Sequence, residues 1–240
     1  MAKRIRVTVW GENVHERQNA LVRQVYPDGM HNCIADGLRE HLSLEVRIAT
    51  LQHPQHGLTK RVLAETDVLV WWAHAAHGKV RDPVVERVLR RIWEGMGFIA
   101  LHSAHYSKVF KRLMGTSCSL TWPIGSFQAL QHRAVRRLMD PADPADPIAR
   151  GIDRCFEIEN SEMYGEPFAI PTPEEIVFIS WFEGGEVFRS GCTWKRGNGK
   201  IFYFRPGHEK YRTYYQKEVL QVIANAVKWA APTVSRCSSR

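Results

Sequence analysis

Six of the eleven histidines fall in four short polar stretches, and they share those stretches with acids, hydroxyls and aromatic residues. GENVHE carries Glu12, Asn13, His15 and Glu16, and AHAAH carries His74 and His77. HSAHYS supplies His102, Ser103, His105, Tyr106 and Ser107, and RPGHEKY supplies Arg205, His208, Glu209 and Tyr211. A fifth stretch, NSEMYGE, adds Glu162, Tyr164 and Glu166. Imidazole titrates near neutrality and also binds metals, so such a set serves acid–base chemistry or metal ligation equally well. Catalytic zinc takes three His or acidic ligands and keeps one position open. His74-x-x-His77 and His102-x-x-His105 offer that chemistry, and we take His74, His77 and His105 as the candidate ligands of a divalent metal, zinc foremost. HExxH is absent, and the alternative is that these side chains hydrogen-bond hydroxyls of a ligand directly. His31, His41, His53, His56 and His132 are scattered and share no such address.

Polar stretches of this kind are useful only if regular elements bring them together. Ile5–Trp10 and Leu44–Leu51 alternate apolar and polar residues, as strands do. Helical patterns lie between them around Asn19–Val25 and Cys33–Leu42. Thr59 is placed to cap a short helix ending near Glu65. Asp67–Ala73 (DVLVWWA) is nearly all apolar, which fits a central strand covered on both faces. Asp82-Pro83 opens a helix with the stripe Val85, Val88, Leu89 and Ile92. Gly97–Leu101 is the next buried strand, and Ala104–Met114 the next helix, stopped by Gly115. Pro141–Pro147 reads as a surface connector. Cys155–Glu159, Glu175–Phe182, Glu186–Lys195 and Lys200–Phe204 read as strands, and turn signals at 183–185 and 197–199 make the last three an antiparallel meander. A final helix runs over Gln216–Trp229. The alternation predicts an α/β fold: a doubly wound, mostly parallel sheet flanked by helices, with antiparallel strands in the C-terminal half. We expect one domain over residues 1–232 and a polar tail over 233–240.

In open α/β sheets ligands bind beyond the carboxyl ends of the strands, and every polar stretch above follows a predicted strand. Glu12, Asn13, His15, Ser103, Tyr106, Tyr164, Glu166, Glu209 and Tyr211 are therefore expected to contact a small-molecule substrate. Aromatic residues beside these loops suit a carbohydrate, whose faces stack on rings, although core packing is the ordinary use of Trp10, Trp71 and Trp72. The net charge of +8 is spread along the chain, and nucleic-acid motifs are missing, so nucleic acid is not an expected partner. No apolar run approaches the ~20 residues that cross a bilayer. MAKRIRVTVW lacks the apolar core of a secretion signal, and the five cysteines are never paired as CxxC. These features predict reduced thiols and a cytoplasmic protein. GENVHE stands where a GxGxxG would follow the first strand, so no directly bound nucleotide cofactor is expected. Exposed meander strands would support a homodimer.

At these residues the chain resembles the trehalose-utilisation, or ThuA-like, family. The stretches that carry the resemblance are VWGENVHE, PDGMH, WWAHAAHG, GFIALHSAHYSKVFKRLMG, ENSEMYGEPFAIP, ISWFEGGEVFRSG and GKIFYFRPGHE. The resemblance implies a fold of the class I glutamine amidotransferase-like, flavodoxin-like kind. Amidotransferases of that fold carry a nucleophilic cysteine on a tight strand-to-helix turn. Here the matching stretch, Leu101-His102-Ser103-Ala104, has no thiol, so glutamine attack lacks its attacking group. Their HPE motif looks like Pro206-Gly207-His208-Glu209. What the family implies instead is disaccharide catabolism, on trehalose-like glucosides or their 3-keto derivatives, with a partner oxidoreductase for redox steps. By this resemblance His102, Glu162 and His208 occupy the catalytic positions, His208 and Glu162 exchanging protons and His102 polarising an oxygen or binding a metal. A non-catalytic sugar-binding role, and a hydrolase with Ser103 as nucleophile and His208 as base, are the alternatives.

Overall fold

The apolar alternation along the first strands is resolved into two cores, one on each face of a sheet. In the computed structural model, which describes residues 4–121, 138–142, 145–153, 155–158, 160–182 and 185–232, Val7, Val9, Val68, Val70, Trp72, Ile99 and Leu101 face one side. Trp10, Leu69, Trp71, Phe98 and Ala100 face the other. Successive side chains on a strand point to opposite faces. That is why DVLVWWA reads as continuously apolar: both of its faces are covered. Each buried Val, Leu, Ile or Phe side chain among them contributes roughly 1.5–3 kcal/mol.

The strands are β1 Ile5–Gly11, β2 Leu44–Thr50, β3 Val68–Trp72, β4 Gly97–Leu101, β5 Leu138–Pro141, β6 Phe156–Glu157, β7 Glu175–Trp181, β8 Val187–Arg196 and β9 Gly199–Phe204. They form one nine-stranded sheet in the order β2-β1-β3-β4-β9-β8-β7-β5-β6. The first five in that order pair in parallel, and the rest pair antiparallel. The helices are α1 His15–Gln18, α2 Ala20–Val25, α3 Met30–Arg39, α4 Lys60–Ala64, α5 Asp82–Trp93, α6 Lys108–Met114 and α7 Lys217–Ala230. Helices α3 and α7 cover the first core with Ile34, Leu38, Ile223 and Val227, and α5 and α6 cover the second with Val85, Val88, Ile92 and Phe110.

The doubly wound sheet and the meander are as the sequence leads one to expect. Three local readings change. The helix placed at Cys33–Leu42 runs Met30–Arg39, because Gly29, at φ +90°, starts it earlier. The helix placed at Ala104–Met114 is two pieces: a 3-10 turn at His102–Tyr106, then α6, capped by Ser107 Oγ accepting from the Phe110 amide. Strand β5 includes Pro141, the first residue of the expected connector. The end of the predicted strand at Glu159, the turn residues 183–184, His132 and the tail 233–240 lie outside the described residues.

This order delivers the polar stretches to one place. β1 lies between β2 and β3, and the chain leaves β1 and β3 toward opposite neighbours, which opens the crevice at the carboxyl edge where α/β sheets bind ligands. β1, β3, β4 and β9 are mutually parallel, so the segments following all four emerge along that edge.

Candidate functional site

His15, His74, His102 and His208 meet at this edge. Ring centroids are 4.9 Å apart for His15–His74, 5.9 Å for His74–His102, 6.2 Å for His74–His208 and 5.8 Å for His102–His208. Residues 193 positions apart in the chain thus share one pocket because parallel strands end together.

His102 sits at the turn itself. It leaves β4 with φ +52°, a left-handed conformation that costs a side-chain-bearing residue of order 1–3 kcal/mol and persists only where the surroundings hold it. Its Nδ1 faces the Arg205 carbonyl oxygen at 3.0 Å; that oxygen only accepts, so Nδ1 carries a proton. Its Nε2 lies 3.2 Å from Glu162 Oε2, and its ring stacks on Tyr164 at 5.2 Å. Glu162 Oε2 is buried and has no hydrogen-bond partner of good geometry, so the imidazole and the carboxylate meet as a close polar contact. Burial pushes the Glu162 carboxyl up, but the His102 contact and the charges of His102, His208 and His74 outweigh it and bring it down to about 2. The hydroxyl of Tyr164, 3.4 Å from the same nitrogen, pairs with Ser103 Oγ at 2.8 Å.

A residue outside the predicted set holds this pair. Arg205, fully buried at the end of β9, donates from Nη1 to the Glu162 carbonyl at 2.8 Å and to Ser161 Oγ at 2.7 Å. Through its carbonyl and its guanidinium, Arg205 fixes both His102 and the segment carrying Glu162. Burial lowers its pKa to about 10, so it remains a cation near neutrality. The sequence signal was its position directly after an apolar strand, which continues into the core.

Glu162, Tyr164 and Ser103, with His74, His77, His105, Tyr106 and Leu120, line a cleft of about 160 Å³ open to solvent. Tyr106 stands at its mouth, 37% exposed. His77 and His105 do not group with His74 as a ligand triad. His105 Nδ1 donates to the Cys118 carbonyl at 2.8 Å, and its ring sits among Tyr106, Tyr164 and Phe168. Burial depresses His105 to about 3 and His77 to about 4, so both are neutral. His74 pairs instead with His15 and Glu209, whose nitrogen and oxygen atoms all lie within 4.8 Å.

Several expected contact residues serve other ends. Glu12 is fully buried, and its two carboxylate oxygens accept from the amides of Ala75 (2.6 Å) and Ala76 (2.9 Å); it shapes the segment between His74 and His77. Glu166 is bound to Arg189 by two bonds of 2.9 and 2.8 Å. Asn13 and Glu16 line a separate surface hollow with Arg17 and Arg23. Tyr211 lies 4.9 Å from His208 between centroids. His208 Nδ1 accepts from the Lys210 amide at 3.1 Å; burial lowers its pKa to about 4, so the neutral ring carries its proton on Nε2. Trp10, Trp71 and Trp72 are fully buried, and Trp10 stacks on Trp71 at 3.9 Å, so core packing is what these rings do.

A family model described as ThuA, trehalose utilisation, matches residues 6–230. Among solved structures, the chain is similar to a ThuA-like protein from Bacteroides uniformis, with 14% identity, 95% of this chain and 92% of that chain covered, and a TM-score of 0.62. It is similar also to a ThuA-like protein from Parabacteroides merdae, at 15% identity, 95% and 90% coverage and a TM-score of 0.61. A cytoplasmic protein from Salmonella typhimurium matches at 10% identity, 95% and 99% coverage and a TM-score of 0.61. At these identities the likeness is one of fold. No match is found among curated proteins.

Proposed function

Because the chain belongs to the ThuA, trehalose-utilisation family, we propose that its cleft acts on a disaccharide, or the 3-keto derivative of one, by acid–base chemistry. The observation that carries this reading is the His102–Glu162 couple, with Nε2 and Oε2 at 3.2 Å and the carboxylate lining the cleft. Glu162 is the member that accepts a proton from substrate, and His102, 1% exposed behind it, positions the carboxylate. His208, neutral with its proton on Nε2, acts as a hydrogen-bond donor to a substrate oxygen and not as a base. Tyr164 and Ser103 supply a hydroxyl pair for sugar oxygens. A 3-ketosugar has acidic hydrogens beside its carbonyl, and an oxidoreductase acting on the sugar would supply it. The described cysteines Cys33, Cys118, Cys155 and Cys192 are all free, which supports a reducing, cytoplasmic setting. No helix among the described residues is long and apolar enough to cross a membrane.

The test is to incubate the purified protein with trehalose and with 3-ketotrehalose and follow both by NMR. Turnover that disappears in Glu162→Gln is the expected result. Saturable binding without turnover would make the cleft a sugar-binding site only, and neither binding nor turnover would overturn the reading.

A further inference from the structure

Glu209 presents a geometry that hydrogen bonding does not explain. Its side chain is 6% exposed, and its Oε2 has no hydrogen-bond partner. Three imidazole nitrogens surround this carboxylate: His15 Nδ1 at 3.6 Å from Oε1, and His74 Nδ1 and His208 Nδ1 at 3.7 and 3.6 Å from Oε2. All three separations are too long for N–H···O bonds, which end near 3.2 Å. A buried carboxylate oxygen left without a partner is costly, of order 1–3 kcal/mol or more for a charged group. Meanwhile His15 Nδ1 and His74 Nδ1 face each other at 3.3 Å, both turned to the same carboxylate.

These distances are those of ligand atoms around a cation. Zinc holds His nitrogen and carboxylate oxygen at about 2.0–2.1 Å, so the edge of its tetrahedron is about 3.3–3.4 Å. The two imidazole nitrogens, 3.3 Å apart, and their distances of 3.6 Å to Glu209 Oε1 and 3.7 Å to Glu209 Oε2 lie close to that edge, and with one atom taken from each residue the three ligand atoms fall within 4.8 Å of one another. His208 does not join through Nδ1, because that nitrogen already accepts the Lys210 amide. We propose that His15, His74 and Glu209 form a binding site for one divalent transition-metal ion, zinc by its ligand chemistry. Two histidines and one glutamate are a ligand set found at catalytic zinc, with a position left for water or substrate. The same two-histidine, one-carboxylate set also accepts other first-row metals.

Placement supports the set. His15 follows β1, His74 follows β3 and Glu209 follows β9, so the three ligands straddle the crevice beside β1. The loop carrying His74 is held by Glu12 through the Ala75 and Ala76 amides, a fixed support of the kind that orients metal ligands. His74 also lines the cleft with Glu162, so the open position would lie next to that cleft. The site itself does not depend on which sugar, if any, is turned over.

The experiment loads chelator-stripped full-length protein with Zn²⁺ alone, reads stoichiometry by elemental analysis after gel filtration, and reads geometry from the visible spectrum of the Co²⁺ form. One ion per chain and a tetrahedral or five-coordinate Co²⁺ spectrum are expected. His74→Ala and Glu209→Gln should each weaken Zn²⁺ binding by at least about 100-fold, the upper end of what loss of an outer-shell partner costs. His77→Ala and His105→Gln should bind as the parent does. Far-UV circular dichroism of each variant, and ligation by the milder His15→Gln, separate lost ligation from lost folding. The proposal is overturned if the stripped parent takes up no Zn²⁺. It is equally overturned if folded Glu209→Gln and His74→Ala bind normally, or if binding is lost only in His77→Ala or His105→Gln. Sugar assays do not enter these readouts, so metal binding without turnover would sink the acid–base reading and leave this one standing.

Discussion

A carboxylate held at about 2 by its neighbours is ionised near neutrality. Glu162 therefore enters a reaction as a proton acceptor. Glu162→Gln keeps the shape and removes the charge opposite His102. General acid–base partners contribute 10²–10⁴-fold, so kcat is expected to fall at least about 100-fold with the circular dichroism spectrum unchanged. Ser103 gives the opposite expectation. Its Oγ pairs with Tyr164 and not with an imidazole, so Ser103→Ala should keep kcat within about tenfold of the parent. A loss comparable to that of Glu162→Gln would revive a serine nucleophile.

At the scale of elements, the turn after β4 works because the end of β9 approaches it closely. Gly207, at φ +139°, has no room for a side chain: a Cβ there would collide with the Tyr214 hydroxyl and come within 3.2 Å of His102 Cβ. Gly207→Ala should cost about 1–3 kcal/mol by overpacking, read as a lower urea midpoint, and should lower kcat as His102 is displaced. The segment after β3 depends on Glu12 in a similar way. Glu12→Gln replaces one acceptor oxygen by an amide that cannot accept from a backbone N–H. It loses a charge-assisted bond worth about 1.5–3 kcal/mol, which hydrogen exchange would detect as lost protection at Ala75 and Ala76. An unchanged exchange rate at both amides would show that Glu12 does not hold this segment.

For the molecule as a whole, burying neutral histidines ties stability to pH. Desolvation depresses His105 to about 3, below the ~6.5 of an exposed imidazole, so the unfolded chain binds the extra proton first. The penalty is absent above pH 6.5 and grows as pH falls toward the folded value. Between pH 6.5 and 5 this single residue costs about 2 kcal/mol. His105→Gln should flatten the acid side of a plot of unfolding free energy against pH, measured by urea titration; a parallel curve would show that His105 carries none of the slope.

The sheet was legible in the sequence because burial writes itself into periodicity. DVLVWWA and GFIAL carry side chains for two cores, and the turn signals at 197–199 join two antiparallel strands as expected. β6 was read within Cys155–Glu159 but keeps only two residues, and the proline-bearing β5 carries too little pattern to be read. That polar stretches follow strand ends was equally visible, since it needs only chain order. Pairing at the site was not. His74 is three residues from His77 in the chain, yet its nearest ligand-type partners are His15 and Glu209, delivered by other strands. Arg205 reads as one more loop cation until the packing shows it buried under Glu162. Chain order determines which residues reach the sheet edge. Only strand order and twist decide which of them face each other, because the distances that make an imidazole–carboxylate pair or a ligand set are set between strands and not along them.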